Sequence, residues 1–191
     1  RDELVAISTP EGLVEADGCI RPGTHLEALA QLKPAFGGSV TAGTASPLTD
    51  GSAAVLVCSE DFARRHRLNI FARIKAVAVG GCAPEIMGMG PVVATRKVLQ
   101  RAGLRIEDID LVEINEAFAS QSLACVRELG LDMAKVNLDG GALALGHPLG
   151  ATGARITGKA ASLLQRTDGR YAIATQCIAG GQGVATLLEA V

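Results

Sequence analysis

The hydrophobic and polar positions divide the chain near residue 52. Before that point the pattern is irregular, with a short apolar run at 5–7 and helical spacing only at 26–32, ahead of Pro34. After it, apolar runs of strand length alternate with segments of helical spacing. We expect helices at 60–67, 92–102, 116–129 and 150–165, and strands at 53–58, 70–79, 109–114, 136–138, 171–178 and 184–188.

From residue 70 the predicted order is strand, helix, strand, helix, strand, helix, strand, strand. This alternation predicts a layered α/β domain, with a mixed but mostly parallel sheet flanked by helices. The final two strands are separated by a glycine-rich loop, which predicts an antiparallel hairpin. Function in open sheets collects at loops beyond strand ends, so residues in those loops are the first candidates for chemistry.

Composition narrows the classes of function. The 191 residues carry a net charge of −2, so the chain lacks the overall positive potential that attracts nucleic acid. No nucleic-acid partner is therefore expected. No apolar run reaches the roughly 18 residues of a membrane span, so none is expected. The five cysteines are odd in number and include no CxxC pair, which predicts neither a disulfide framework nor a metal site. A reducing compartment is therefore expected.

Two residues set in glycine carry the first candidate chemistry. His147 lies in a Gly-His-Pro turn, and Cys177 precedes a Gly-Gly-Gln-Gly loop. A cysteine can act as a nucleophile or as an acid and base, a histidine exchanges protons near neutral pH, and glycines let backbone N–H groups approach an oxyanion. The residues alone leave open that both are structural, as a core histidine and a small apolar cysteine.

Three further segments admit both a structural and a functional interpretation. Asn115 begins the stretch Asn-Glu-Ala-Phe-Ala, where it either caps a helix or positions a water or a substrate carbonyl. The loop 41–51, which contains Ser46, is either a polar turn or the lining of a channel for a long thin ligand. The segment 86–91 around Met87 either forms the wall of a ligand site or packs on the core.

In this order, the segments resemble the thiolase family, which comprises acetyl-CoA acetyltransferases and 3-ketoacyl-CoA thiolases. The resemblance runs from about residue 20 to the end and is carried by six motifs, at 32–36, 41–51, 86–91, 115–119, 146–155 and 177–183. It implies a layered thiolase-type fold divided into the end of a loop domain, the last strand and helix of the N-terminal half, and the C-terminal domain, at 1–47, 48–69 and 70–191.

The resemblance also implies the chemistry. Thiolases cleave 3-ketoacyl-CoA with CoA, or run the reverse condensation, through an acyl-cysteine, and they use no cofactor besides CoA as substrate. At the positions that match the thiolase motifs, Cys177 would be the acid and base, and His147 would activate the nucleophile. His147 also forms one oxyanion hole with a water held by Asn115, and the N–H of Ala179 serves a second. Ala179 departs from the family's usual glycine, which matters only if this position needs a positive φ.

The match further implies the binding contacts and partners. Ser46 would contact the pantetheine arm of CoA, and Met87 and Phe118 would line the acyl-CoA pocket. None of the five cysteines matches the thiolase nucleophile, which is expected upstream of residue 1. The fragment alone is then expected to be inactive, and its partners to be acyl-CoA, CoA and the missing N-terminal half in a homo-oligomer.

The sequence also gives expectations for the metabolic branch and the cellular location, and it leaves two alternative functions open. The residues around Cys177 favour the degradative, fatty-acid branch, with an acetyl-CoA acyltransferase or acetyltransferase activity. The expected location is cytoplasmic, or mitochondrial or peroxisomal in a eukaryote. One alternative is a ketosynthase-type condensing enzyme, which a cysteine in the last loop disfavours. Another is a non-catalytic CoA-binding or assembly module, against which Asn115, His147 and Cys177 together argue.

Overall fold

A four-stranded sheet lies at the centre of the computed structural model, which describes residues 3–191. The helices and strands are β1 (Ile7–Thr9), β2 (Gly12–Val14), α1 (Leu26–Ala30), α2 (Glu60–Arg65), β3 (Arg73–Gly81), α3 (Gly90–Ala102), β4 (Leu111–Ile114), α4 (Ala119–Leu129), α5 (Ala142–Leu145), α6 (Thr152–Thr167), β5 (Tyr171–Ile178) and β6 (Gln182–Glu189). Short 3₁₀ helices occupy Pro84–Met89, Ile106–Asp108 and Met133–Lys135.

Helices cover both faces of this sheet. On one face, α3 and α4 pack through residues such as Val98 and Cys125 against sheet side chains that include Ile173. On the other face, α6 packs through Ile156 and Leu163 against strands β4, β5 and β6. The predicted layered α/β fold with helices on both sides of a mixed sheet is confirmed.

The expectation of a mostly parallel sheet is wrong. The strand order is β3-β6-β5-β4, and only β4 and β5 pair in parallel. Strands β3, β4 and β5 do run in one direction, as helical crossovers require. The antiparallel hairpin strand β6 inserts between β3 and β5, so two of the three pairings become antiparallel.

Two predicted strands are absent. Residues 53–58 form no strand and are exposed, since no described strand pairs with them. The run is apolar, as a buried strand would be. A strand forms, however, only where a neighbouring strand accepts and donates its backbone hydrogen bonds. Residues 136–138 supply a single parallel bridge, between Val136 and Val112.

Local signals fix several boundaries. Pro91 lies in the first turn of α3, where a missing N–H costs nothing. Gly130 ends α4 in the left-handed conformation, with a φ of 65°. The predicted helix at 116–129 begins only at Ala119, because the backbone of Phe118 is extended. Within residues 3–191, no helix is both long and apolar enough to cross a bilayer.

Candidate active site

Cys177 lies near the end of β5, directly opposite Gly183 of β6. Gly183 in turn contacts the backbone of Gly90, the first residue of α3, so closely that a Cβ would overlap the Gly90 carbonyl. The absence of a side chain at both positions therefore lets α3 begin directly over the strand beside Cys177.

The loop after Cys177 turns through two glycines. Gly180 and Gly181 have φ values of 85° and 88°, in the left-handed region that glycine favours. The carbonyl of Gly181 accepts a hydrogen bond of 2.7 Å from the N–H of Cys82. Ala179 is not among the described residues with a positive φ, so alanine at this position is unstrained and keeps its N–H.

The thiol of Cys177 is half-buried and free. Burial raises the pKa of the Cys177 thiol above its ordinary value, and the nearby Cys82 contributes in the same direction. The thiol therefore keeps its proton at neutral pH. A protonated thiol can donate to a carbanion or enolate, and it becomes a base once that proton has been delivered.

Asn115 directly follows β4 and is fully buried. Its N–H donates 3.0 Å to the carbonyl of Thr175, two residues before Cys177 on the adjacent strand. Neither atom of its side-chain amide has a hydrogen-bond partner among the described residues. The helix-cap interpretation is wrong because α4 begins four residues later, at Ala119. A buried amide left unpartnered costs about 1–3 kcal/mol, so this side chain is suited to bind a small polar molecule.

His147 follows α5 and a glycine. Gly146 has a φ of 98°, and a Cβ there would overlap the side chain of Thr49. The Thr49 hydroxyl accepts a 3.2 Å hydrogen bond from the N–H of His147. On the other side, Nδ1 of the ring is 2.7 Å from Oγ1 of Thr152. Burial and then the positive charge of Arg155 lower the pKa of His147, so the ring is neutral at neutral pH.

Glu116 and Asn137 tie the segments of Asn115 and His147 together. The Asn137 side chain accepts from the N–H of Ile114 and donates to its carbonyl, both at 2.9 Å, and donates 2.7 Å to Glu116 Oε1. The other Glu116 oxygen accepts 3.1 Å from the N–H of Leu143 in α5. Sequence reasoning missed both residues. The one sequence signal was that Glu116 directly follows Asn115, and Asn137 had none.

The small-residue loop around Ser46 is also brought to the site. The N–H of Ser46 donates 3.0 Å to the carbonyl of Ala117, and the N–H of Ala119 donates 2.9 Å to the carbonyl of Thr44. A further bridge joins Leu48 to His147. The loop therefore lies between the Asn115 segment and the His147 turn.

The two predicted apolar wall residues lie on neighbouring segments. Met87 is half-buried in the 3₁₀ helix Pro84–Met89, and Phe118 is the residue before α4. The 3₁₀ helix packs on α4, where Cys125 Sγ donates 3.2 Å to the carbonyl of Gly88. Cys125 is fully buried, so its thiol is part of the packing between these two segments.

Asn115 and Cys177 lie at the same end of the paired strands β4 and β5, and the loop around Ser46 contacts both the Asn115 segment and the His147 turn. In the part of the chain that the structure describes, no hydrogen bond joins the side chains of Asn115, His147 and Cys177 directly. A pocket of about 270 Å³ opens beside His147, lined by Leu48, Thr49, Asp50 and Leu149. A protonated thiol and a neutral imidazole are groups that can exchange protons, and a buried amide can bind a water molecule.

Comparison with known proteins decides the family. The model of the thiolase C-terminal domain matches residues 68–190, and that of the thiolase N-terminal domain matches residues 1–61. The chain belongs to the thiolase family. The resemblance drawn from the six motifs is thereby confirmed.

Individual thiolases are similar over nearly the whole chain. A 3-ketoacyl-CoA thiolase of Vibrio parahaemolyticus is 54% identical over 182 residues, which are 92% of this chain and 46% of the relative. One of Shewanella loihica is 56% identical over 179 residues, which are 91% of this chain and 46% of the relative. The chain thus spans about half the length of the curated thiolases it matches.

Solved thiolase structures share the fold. The human mitochondrial 3-ketoacyl-CoA thiolase in complex with CoA superposes with a TM-score of 0.90 at 46% identity, covering 97% of this chain and 48% of that one. The Bacillus anthracis acetyl-CoA acetyltransferase gives a TM-score of 0.93 at 46% identity, covering 98% and 49%. The predicted thiolase-type fold is confirmed.

Proposed function

We propose that this chain is the C-terminal portion of a thiolase that cleaves 3-ketoacyl-CoA with CoA to acetyl-CoA and a shortened acyl-CoA, or runs the reverse condensation. Its curated relatives from Vibrio and Shewanella are 3-ketoacyl-CoA thiolases, which supports the degradative branch. The likeness to an acetyl-CoA acetyltransferase supports the same acyl-transfer chemistry for either direction.

The observation that carries this proposal is the buried side-chain amide of Asn115, which has no hydrogen-bond partner among the described residues and lies beside β5, the strand near whose end Cys177 stands. Enolate formation from a thioester is difficult and requires donors that are in place before charge develops. A water held by Asn115 would supply one donor, and His147 would supply the other through Nε2 once that nitrogen has taken the proton of the nucleophile. Losing one oxyanion donor typically costs on the order of 3 kcal/mol of transition-state stabilisation.

The proposed reaction has two steps. In the first, neutral His147 takes the proton of a nucleophilic cysteine upstream of residue 1, and the thiolate attacks the 3-keto carbonyl. The bond between the α- and β-carbons then breaks, the acyl group stays on the nucleophile, and Cys177 protonates the acetyl-CoA enolate. In the second, the thiol of CoA attacks the acyl-cysteine, its proton passes to the Cys177 thiolate, and the nucleophile leaves as a thiolate.

Backbone and loop groups would hold the substrate. The N–H of Ala179, with the N–H of the nucleophile, would bind the thioester oxygen of the acyl-enzyme. Ser46 would contact the pantetheine arm, and Met87 and Phe118 would line the acyl pocket. The CoA-bound human relative supports CoA as the ligand of this surface. The reaction needs no cofactor or metal ion beyond these groups.

The proposal requires the other half of a thiolase. The exposed apolar side chains of residues 53–58, among them Leu56 at 74% exposure, are suited to pairing with a strand from that half. We propose that 1–47 ends a loop domain, that 48–69 completes the first half and that 70–191 is the C-terminal domain. The 191 residues alone are then inactive, and the complete protein is a homo-oligomer. We also propose a reducing compartment, the cytoplasm, or the mitochondrion or peroxisome of a eukaryote, which an odd number of cysteines with no CxxC pair favours.

Replacing Cys177 tests the proposed role. In the protein that carries this chain together with its upstream half, Cys177→Ser should lower steady-state thiolysis of acetoacetyl-CoA by orders of magnitude, while acylation by acetyl-CoA persists. Cys58→Ser, which removes a thiol outside the candidate site, is the matched control and should leave turnover unchanged. Unchanged turnover in Cys177→Ser would refute the role. Thiolysis by the 191-residue chain alone would refute the need for an upstream nucleophile.

A further inference from the structure

Thr152, the first residue of α6, makes two close contacts through one hydroxyl group. Its Oγ1 is 2.7 Å from Nδ1 of His147 and 3.0 Å from the carbonyl oxygen of Pro148. The side chain is fully buried, so no solvent competes for either contact. A threonine hydroxyl carries a single hydrogen, and a neutral imidazole protonates only one of its two nitrogens. The Thr152 hydrogen can be donated to only one of the two partners, so the direction of one hydrogen bond decides the direction of the other.

Only one assignment of hydrogens makes both contacts favourable. If the Thr152 hydroxyl donates to the Pro148 carbonyl, Oγ1 is free to accept from Nδ1–H of His147, and both contacts are hydrogen bonds. If the hydroxyl instead donates to Nδ1, two oxygen atoms with lone pairs face each other at 3.0 Å with no hydrogen between them. The first assignment places the ring proton on Nδ1 and leaves Nε2 with a free lone pair.

The local sequence makes this arrangement rigid. Threonine in a helix commonly donates to the carbonyl four residues earlier, and its branched Cβ restricts rotation about χ1. The carbonyl of Pro148 also accepts a 2.9 Å hydrogen bond from the N–H of Thr152, which anchors the same residue through its backbone. The Thr49 hydroxyl fixes the backbone of His147 on the opposite side at 3.2 Å. The ring is thus held at Nδ1 by Thr152, and the backbone that carries it is held by Thr49.

We propose that Thr152 is a positioning residue that fixes the tautomer of His147, with the proton on Nδ1 and the lone pair on Nε2. This inference rests on the proposed function, because a base must present a lone pair to the thiol it deprotonates. A hydroxyl group fixes the tautomer without adding a negative charge beside the ring. The neutral ring, whose pKa burial and Arg155 lower, is the form in which tautomers exist.

The tautomer can be observed directly. Nitrogen-15 correlation spectra distinguish protonated from unprotonated ring nitrogens, and the protein has only three histidines, of which His25 and His66 are exposed. Loss of one signal set in His147→Gln assigns the resonance. We expect His147 to be protonated at Nδ1 in the native chain and in Thr152→Ser. In Thr152→Val, which removes the hydroxyl at nearly constant volume, the Nε2-protonated form should become the majority.

A matched control separates this role from loss of a buried hydroxyl. Thr95 is equally buried and its hydroxyl has no partner among the described residues, so Thr95→Val should leave the His147 spectrum unchanged. An Nε2-protonated ring in the native chain would overturn the proposal, as would an unchanged tautomer in Thr152→Val. If Thr152→Val fails to fold, the native spectrum decides the assignment by itself.

A kinetic arm separates this proposal from the proposed function. In the protein with its upstream half, Thr152→Val should slow acylation of the nucleophile on the order of 10²-fold with little change in the KM for CoA, and Thr152→Ser should restore most of the rate. Equal acylation rates despite a changed tautomer would overturn the positioning role. Absence of any acyl-enzyme in the native protein would refute the proposed function, while the spectroscopic result would stand.

Discussion

Glu113 makes the stability of the fold depend on pH. The residue lies in β4 on the face covered by α6, is 1% exposed, and has a carboxyl oxygen without a hydrogen-bond partner among the described residues. Burial raises the pKa of Glu113 to about 7 from an ordinary value of 4.5, although the charges of Arg155 and Lys159 act in the opposite direction.

The magnitude follows from the two pKa values. Each pKa unit is worth about 1.4 kcal/mol, so the gap between about 7 and 4.5 corresponds to about 3 kcal/mol. The folded chain binds more protons than the unfolded chain between these values, so stability falls as pH rises through this window. Below it, both states hold a neutral carboxyl and the penalty disappears.

Glu113→Gln tests this reasoning because it makes the side chain neutral at every pH. Urea unfolding followed by circular dichroism should find the variant about 3 kcal/mol more stable than the native chain at about pH 8.5. The two proteins should differ little at about pH 4. Glu107→Gln, which removes an exposed carboxylate, is the matched control and should follow the native curve. An unchanged or smaller stability of Glu113→Gln at high pH would contradict the account.

The remaining predictions concern packing and the titration of the base. Gly183→Ala should destabilise the fold by on the order of 3 kcal/mol in urea unfolding, because its Cβ meets the Gly90 backbone; a native midpoint would contradict this contact. Leu163→Ala, at a position 1% exposed, should lower the free energy of unfolding by about 2–5 kcal/mol. Leu149→Ala, at a position 78% exposed, should lower it little, and equal losses in the two variants would refute the assigned core. Because burial lowers the pKa of His147 from 6.5, the acylation rate should decline only below pH 6.5, and a decline centred above that value would refute a neutral base.

Secondary structure was predictable wherever one local signal sufficed. Helical spacing with Pro91 at the start located α3, and Gly130 marked the end of α4. The hairpin of β5 and β6 followed from two apolar runs around a glycine loop. Strand neighbours were not predictable in this way. The insertion of β6 between β3 and β5 depends on which edges meet in three dimensions, and the run 53–58 has a strand's composition without a partner to pair with.

The site residues also fall into two groups, those that local motifs identify and those whose role depends on contacts between distant segments. Asn115, His147 and Cys177 stand in motifs with distinctive neighbours, so the sequence identifies them as candidates through the family resemblance. Thr49 and Asn137 act through contacts with residues distant in sequence, such as the hydrogen bond from His147 to Thr49 across nearly a hundred positions. The sequence around Asn137 does not distinguish it, and the loop motif that contains Thr49 does not single out that residue, because both roles exist only after folding.

The central claim is that Cys177 is an acid and base and that the nucleophile lies outside these 191 residues. The most direct measurement is to incubate the protein that carries this chain and its upstream half with acetyl-CoA, digest it, and locate the acyl group by mass spectrometry. The account predicts a single acylated cysteine in a peptide that precedes residue 1, and no acylation of Cys19, Cys58, Cys82, Cys125 or Cys177. An acyl group on Cys177 would contradict it.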